Sequence, residues 1–210
     1  MNIPFHTRTG IIDLGCLRSQ DLTAEALGEA MAKINRFGGR TPEPWSVAAH
    51  SLLVEALCPP DLRGWALLHD AHKVFLGDLM DPSVELICQS GTRLAVENAI
   101  ANAEAKVDRA IAAAWGIALR SKSEALLSAC QIAFMAEVWT FMQVQPGRLS
   151  PHDADLLDRA VQFLRENPHL AWGDWRPVRD HWVANVKLIA KTGRLAPPSP
   201  IDPSSAVLAG

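Results

Sequence analysis

Ser46-Val47-Ala48-Ala49-His50-Ser51-Leu52-Leu53-Val54-Glu55-Ala56-Leu57-Cys58-Pro59-Pro60-Asp61-Leu62-Arg63-Gly64-Trp65-Ala66-Leu67-Leu68-His69-Asp70 reads as two apolar helices joined by a tight turn. Ser46 is a good N-cap, and Val47, His50, Val54 and Leu57 recur along one side of the first helix. Proline has no amide donor and clashes with the preceding turn, so the first helix ends at Pro59-Pro60, and Asp61 can cap the next one. The second helix carries Leu62, Trp65, Leu68 and His69 and is predicted to run on to Gly77. His50 stands nine positions before Pro59, and His69 nine after Pro60. In an antiparallel pair with ~1.5 Å rise per residue, equal distances from the turn bring both side chains to the same height. The two imidazoles and Asp70 then either converge on one ion across the helix–helix groove or are hydrogen-bonded members of the core. Periodicity alone does not separate these readings.

The flanking chain reads as more helices. Residues 1–20 mix Pro, Gly, Thr and Arg and form an extended lead-in. From Thr23 the positions Leu27, Met31, Ile34 and Phe37 have helical spacing, and Gly38-Gly39 stops that helix. A short helix follows Asp81-Pro82. Residues 92–115 form a long alanine-rich helix with a buried stripe at Val107, Ile111 and Trp115, closed by Gly116. Ser121 and Glu124 make a capping box for a helix whose stripe is Leu126, Leu127, Cys130, Phe134 and Glu137. Pro146-Gly147 breaks the chain, and Ser150-Pro151-His152-Asp153 opens a helix to about Leu164. A last helix starts near Pro177, with Val178, Trp182, Val186 and Ile189 inward. Sustained two-residue alternation is missing throughout. The expected fold is all-α, a single bundle of about seven helices. Its domain spans 1–194, with a core over 22–142 and C-terminal helices over 150–192. The segment 195–210 has the composition of a disordered tail.

Composition narrows the function. The chain has 210 residues, 49% of them hydrophobic and 20% charged, with a net charge of −3 and a pI near 6.1. No basic field draws it to nucleic acid polymers or membranes. No apolar run approaches the ~20 residues that cross a bilayer, and the N-terminus lacks the regions of a signal peptide. Cys16, Cys58, Cys88 and Cys130 are scattered without CxxC spacing, so free thiols and a cytoplasmic location are expected.

The chemistry concentrates in His69-Asp70-Ala71-His72-Lys73-Val74-Phe75-Leu76-Gly77-Asp78. Ionisable groups this dense inside an apolar pattern are costly to bury unless they bind something, and a metal ion is the usual candidate. A second His-Asp pair, His152-Asp153, serves as a control. It sits in a first helical turn, where capping and the helix dipole explain it. Two histidines and a carboxylate with open positions suit Mn, Fe, Co, Ni or Zn and leave room for water or phosphate oxygens.

His50 followed by His69-Asp70 resembles the HD-domain metal-dependent phosphohydrolases, an all-helical superfamily, and within it the branch of bacterial 5′-deoxynucleotidases and related nucleotide hydrolases. The resemblance covers roughly residues 5–142 and rests on a combination of motifs. Thr7-Arg8-Thr9-Gly10 resembles that branch's lead-in, and Asn35-Arg36-Phe37-Gly38-Gly39 its Arg-aromatic motif. Trp45-Ser46-Val47-Ala48-Ala49-His50-Ser51 resembles the segment bearing the first ligand. His69-Asp70-Ala71-His72 and Leu76-Gly77-Asp78 resemble the signature.

The resemblance implies that His50, His69 and Asp70 ligate a divalent metal, that Arg36 holds substrate phosphate, and that Asp78 orients the nucleotide or the attacking water. Two positions depart from the pattern. Lys73 stands where the branch has a glutamate acting on the nucleophile or leaving group. Lysine serves as a base at neutral pH only if burial lowers its pKa, so Lys73 either binds phosphate or marks lost activity. Cys130 stands at the position of the fourth ligand, normally Asp. It is either a thiolate ligand, favouring Zn, Fe or Co over Mg or Mn, or a small buried hydrophobe. Glu137, on the same stripe, is a candidate support for the site. The implied activity is removal of phosphate or polyphosphate from a small-molecule nucleotide by metal-activated water. The alternative is a catalytically impaired HD-fold protein that binds metal or nucleotide as a sensor or scaffold. A homodimer through the alanine-rich helix is compatible with either.

Overall fold

The computed structural model describes residues 2–199. Its helices are α1 (Ala24–Lys33), α2 (Val47–Leu57), α3 (Arg63–Leu68), α4 (Lys73–Leu76), α5 (Asp81–Cys88), α6 (Arg93–Ala114), α7 (Glu124–Met142), α8 (Pro151–Glu166) and α9 (Trp175–Ala190). The all-α class holds, with one addition. The lead-in pairs with itself as an antiparallel hairpin of β1 (Pro4–Thr7) and β2 (Gly10–Asp13), with Phe5 opposite Ile12. Four-residue strands are too short for alternation to register in the sequence. The edge of the Phe5 ring meets Phe75 at 6.1 Å, which sets the hairpin against α4.

α2 is the central element. Ser46 Oγ accepts the Ala49 amide at its N-terminus, as its sequence predicts, but ten of its eleven residues are buried, so it has no polar side. Neighbours surround it: α1, α3, α7, α8 and α9 all pack on it. A helix enclosed in this way has no need of an amphipathic stripe. The α2–α3 hairpin forms as expected, and Arg63 pairs across it with the buried Glu55. Asn185 of α9 donates to the same carboxylate at 3.2 Å. Asp61 does not cap α3; Leu62 occupies the N-cap position.

Several expected elements are redrawn. The helix from Thr23 stops at Lys33 rather than at Gly38-Gly39, because the chain there turns back onto the start of α2. Arg36 N donates to Trp45 O at 2.8 Å and Val47 N to Ile34 O at 2.9 Å. Just after this bridge Phe37 adopts the left-handed region, at φ 56°. The helix predicted from Leu62 to Gly77 is two helices, α3 and α4, separated by a turn at His69–His72. Within that turn the amides of Ala71, Lys73 and Val74 donate three residues back, to Leu68, Asp70 and Ala71, the tighter 3₁₀ spacing.

α7 begins after Ser123, so the predicted Ser121–Glu124 capping box is not formed. Its inward side runs through Leu126, Ala129, Ala133, Ala136 and Glu137, whereas Leu127 and Phe134 of the predicted stripe are exposed. At 19 residues and mean hydropathy 1.4, α7 is long and apolar enough to cross a membrane by length and composition, contrary to expectation. Its inner side packs on α2 and α8.

The C-terminal helices share the core rather than forming a layer of their own. Trp182 of α9 is fully buried, its indole donating to Leu67 O at 3.1 Å and its ring meeting Trp115 edge-on. The packed chain extends past the predicted start of the tail. Leu195 is buried over Gly64, and Ala196 N donates to Trp115 O at 2.8 Å. The rest of the predicted tail, residues 200–210, lies outside the described residues.

Gly28 tests this packing. A Cβ there would meet the Trp182 ring at 2.9 Å and Val183 at 3.2 Å. Alanine gains about 1 kcal/mol of helix propensity, but overpacking costs about 1–3 kcal/mol. Gly28→Ala is therefore expected to lower the urea midpoint with an unchanged m-value.

Candidate metal centre

The hairpin brings His50 and His69 together with ring centroids 5.4 Å apart, as equal spacing from the turn predicts. α7 adds Cys130, and the ligand atoms of His50, His69 and Cys130 all lie within 4.8 Å of one another. The group could hold a metal ion. Each imidazole has one nitrogen already committed. His50 Nδ1 donates to Glu137 Oε1 at 2.6 Å, and His69 Nδ1 to the Ala66 carbonyl at 2.7 Å. Those contacts occupy both Nδ1 atoms and leave the Nε2 atoms as the candidate ligands, the arrangement that orients histidine ligands on metals. The donor set therefore fits a borderline or soft divalent ion such as Zn, Fe or Co.

Asp70 flanks this trio rather than standing within it. Its Oδ2 is 3.8 Å from His50 Nε2 and its Oδ1 3.6 Å from His69 Nε2. Lys73 Nζ stands 3.0 Å from Oδ2, yet that buried oxygen accepts no well-directed hydrogen bond. It can still take a ligand. Lys73 also reaches Asp78 Oδ1 at 2.8 Å. Arg36 is buried, its Nε and terminal nitrogen 3.2 and 3.0 Å from Glu137 Oε2, and its other terminal nitrogen 3.6 Å from Asp70. All seven residues singled out from the sequence thus form one connected cluster, with Glu137 as its inner support. The base is sealed, with Glu137 side chain 0% and His50 4% exposed, while the Lys73 side chain keeps 16%.

Its charges are strongly coupled. Burial would raise the Asp70 pKa, but His69, Lys73, His50 and Arg36 hold it well below the carboxylate range. Burial likewise opposes ionisation of Glu137, and His50 and Arg36 overcome it. Burial works against the Lys73 ammonium, yet Asp70 and Asp78 keep its pKa above the ordinary value. Lys73 is therefore a fixed cation and not a base, which removes the one basic role that burial could have given it. Burial would push the Cys130 thiol up, but His69 and His50 bring it down to about 6. Burial lowers His69, while Cys130 and Asp70 raise it to about 9. At neutral pH the two form a thiolate–imidazolium pair.

The sequence reading missed two groups nearby. His72 is tied to α6 through Asp108, its Nδ1 3.0 Å from Oδ1, so it anchors the turn. Asp108 neighbours Val107 on the buried stripe, and helical spacing also puts Glu104 one turn before it. Phe134, read as core, is instead exposed and stacks on Phe37 with centroids 5.9 Å apart. No protein-family model matches the chain, and no curated protein matches it.

Two outcomes are expected. Binding of Zn at about pH 7.5 displaces the His69 proton, so about one proton is released per ion, measurable by calorimetry in buffers of different ionisation enthalpy. Release rises towards two as pH falls below about 6, where Cys130 is protonated as well, and fades above about 9. Glu137→Gln removes the nearest counter-charge of the buried Arg36, leaving only Asp70 at 3.6 Å, and is expected to cost up to about 3 kcal/mol in urea unfolding.

Proposed function

We propose that this chain is a metal-dependent phosphohydrolase acting on a small-molecule nucleotide, of the HD-domain type that its motifs resemble. The observation that carries the reading is the convergence of two Nε2 atoms and the Cys130 sulfur, with both Nδ1 atoms committed elsewhere. His50, His69 and Cys130 would hold the ion, with Asp70 at its edge. When bound, the ion supplies Lewis acidity, polarising a phosphoryl oxygen and lowering the pKa of a water.

The chain's own residues do the rest. Glu137 and the Ala66 carbonyl hold the two Nδ1 atoms and so aim both Nε2 atoms at the trio. Lys73 and Arg36 place positive charge beside the site, where positioning and electrostatics dominate phosphoryl transfer. Asp70, ionised at neutral pH, can accept a hydrogen bond from a water at the edge of the trio.

A second reading is an impaired HD-fold protein that binds metal or nucleotide without turnover. One observation favours it. Arg36 and Lys73, the cations expected to meet phosphate, are both engaged by carboxylates.

The deciding experiment is metal analysis of the purified chain, followed by a screen of nucleoside mono-, di- and triphosphates with Mn, Co and Zn. Hydrolysis that chelation abolishes and Zn or Co restores is the expected result. Bound metal with no turnover, together with activity in a Lys73→Glu, Cys130→Asp variant, establishes the impaired reading. No bound transition metal sinks both.

A further inference from the structure

Trp45, Trp65, Trp115 and Trp182 are fully buried, whereas Trp172 is 67% exposed. A large aromatic side chain left open to solvent adds little to the core and is informative for that reason. Its position is nonetheless fixed. Gly173, at φ 82°, turns the chain into α9, and Asp174 caps that helix by accepting the Arg176 amide at 3.0 Å. The rings of His169 and Trp172 meet at near right angles, with centroids 6.0 Å apart. His169 Nε2 lies 3.1 Å from His181 Nδ1 of α9, with ring planes 11° apart and centroids 5.3 Å apart. Nitrogens so close on centroids so distant place the two imidazoles end to end in nearly one plane. An N–H···N hydrogen bond therefore joins them, and it ties the segment before Trp172 to α9.

The braced turn walls a cavity of about 300 Å³, whose lining also includes Trp45 and Phe141, ring centroids 5.1 Å apart. That volume is at the small end of the ~300–1,000 Å³ range of ligand pockets. Glu43 is the one ionisable residue in the lining, and none is basic. Thr41 engages the Glu43 backbone carbonyl, and the carboxylate makes no ion pair or hydrogen bond among the described residues. Asn167 commits its amide nitrogen to the Phe163 carbonyl at 2.9 Å, which leaves its oxygen as an acceptor. No lining residue belongs to the metal cluster.

We propose that this cavity binds a small organic amine in its charged form, an ammonium group on an apolar body. Aromatic rings attract a cation through their negative faces, and Glu43 supplies the full opposite charge. An ammonium brings three donors, which suit a lining whose free polar atoms include a carboxylate and an amide oxygen. An anionic ligand would meet Glu43 as a like charge, with no basic residue in the lining to offset it. The proposal is independent of the metal reading.

The test is calorimetry and indole NMR on the full-length protein with 2-phenylethylammonium, the neutral 2-phenylethanol and the anion phenylacetate. The cation is expected to bind once per chain and to shift the Trp172 indole N–H signal, identified by its loss in Trp172→Ala. The alcohol is expected to bind at least about fivefold more weakly, and phenylacetate not at all. Glu43→Gln and Trp172→Ala are each expected to raise the Kd of the cation about two- to fivefold, with Trp172→Phe recovering part of the loss. Both positions are exposed, so these variants keep the fold, as circular dichroism checks. No binding of the cation, binding without the Trp172 shift, equal binding of the alcohol, or an unchanged Kd in either variant overturns the proposal.

Discussion

A carboxylate with no access to solvent, Glu137, is the constraint on which the architecture turns. An unpaired charge at such depth would cost several kcal/mol, so the fold must bring partners to it. They come from two separate places. His50 is offered by α2, the most enclosed helix, and Arg36 by the segment that bridges back onto Trp45. Satisfying Glu137 therefore fixes the register of α7 on α2, the path of the chain after α1, and the tautomer of one imidazole. The candidate metal centre stands directly on this arrangement. The same proton that compensates Glu137 leaves His50 Nε2 free to act as a ligand.

The second element of design is the break between α3 and α4. A continuous helix from Leu62 to Gly77 would hold His69, Asp70 and Lys73 within about 100° of one another around its axis, but it would run straight on past the site. The turn at His69–His72 ends α3 beside the cluster, and the His72–Asp108 contact pins that turn to α6. Gaps in regular helix are where side chains can be aimed independently, and here the gap coincides with the densest ionisable cluster.

The network is charge-balanced to a degree that shapes its chemistry. Arg36 and Lys73 face Glu137, Asp70 and Asp78, while Cys130 and His69 share a proton between them. In such a network each group's protonation is set by its neighbours more than by its own type. Lys73 shows this most plainly: burial alone would lower its pKa, and two carboxylates reverse the outcome.

Much of this was legible in the residues. Capping chemistry located the starts of α2 and α8, where Ser46 and Ser150 accept the expected amides. The paired prolines set the hairpin, and counting outward from them put His50 and His69 at one height. Those are local or nearly local facts, written in backbone propensity and helical rise. What the tertiary structure decided was everything that depends on a partner far along the chain. Helical spacing gave Phe134 and Glu137 equal claim to the core, and only the arrival of Arg36 and His50 separated them. It could not foresee the turn at His69–His72, which is tied to α6 through the His72–Asp108 contact. The residue types at positions 50, 69, 70, 73, 78 and 130 thus determined what chemistry is available. Which of those groups carry charge and which way they point was decided by packing, since burial and long-range pairing govern both.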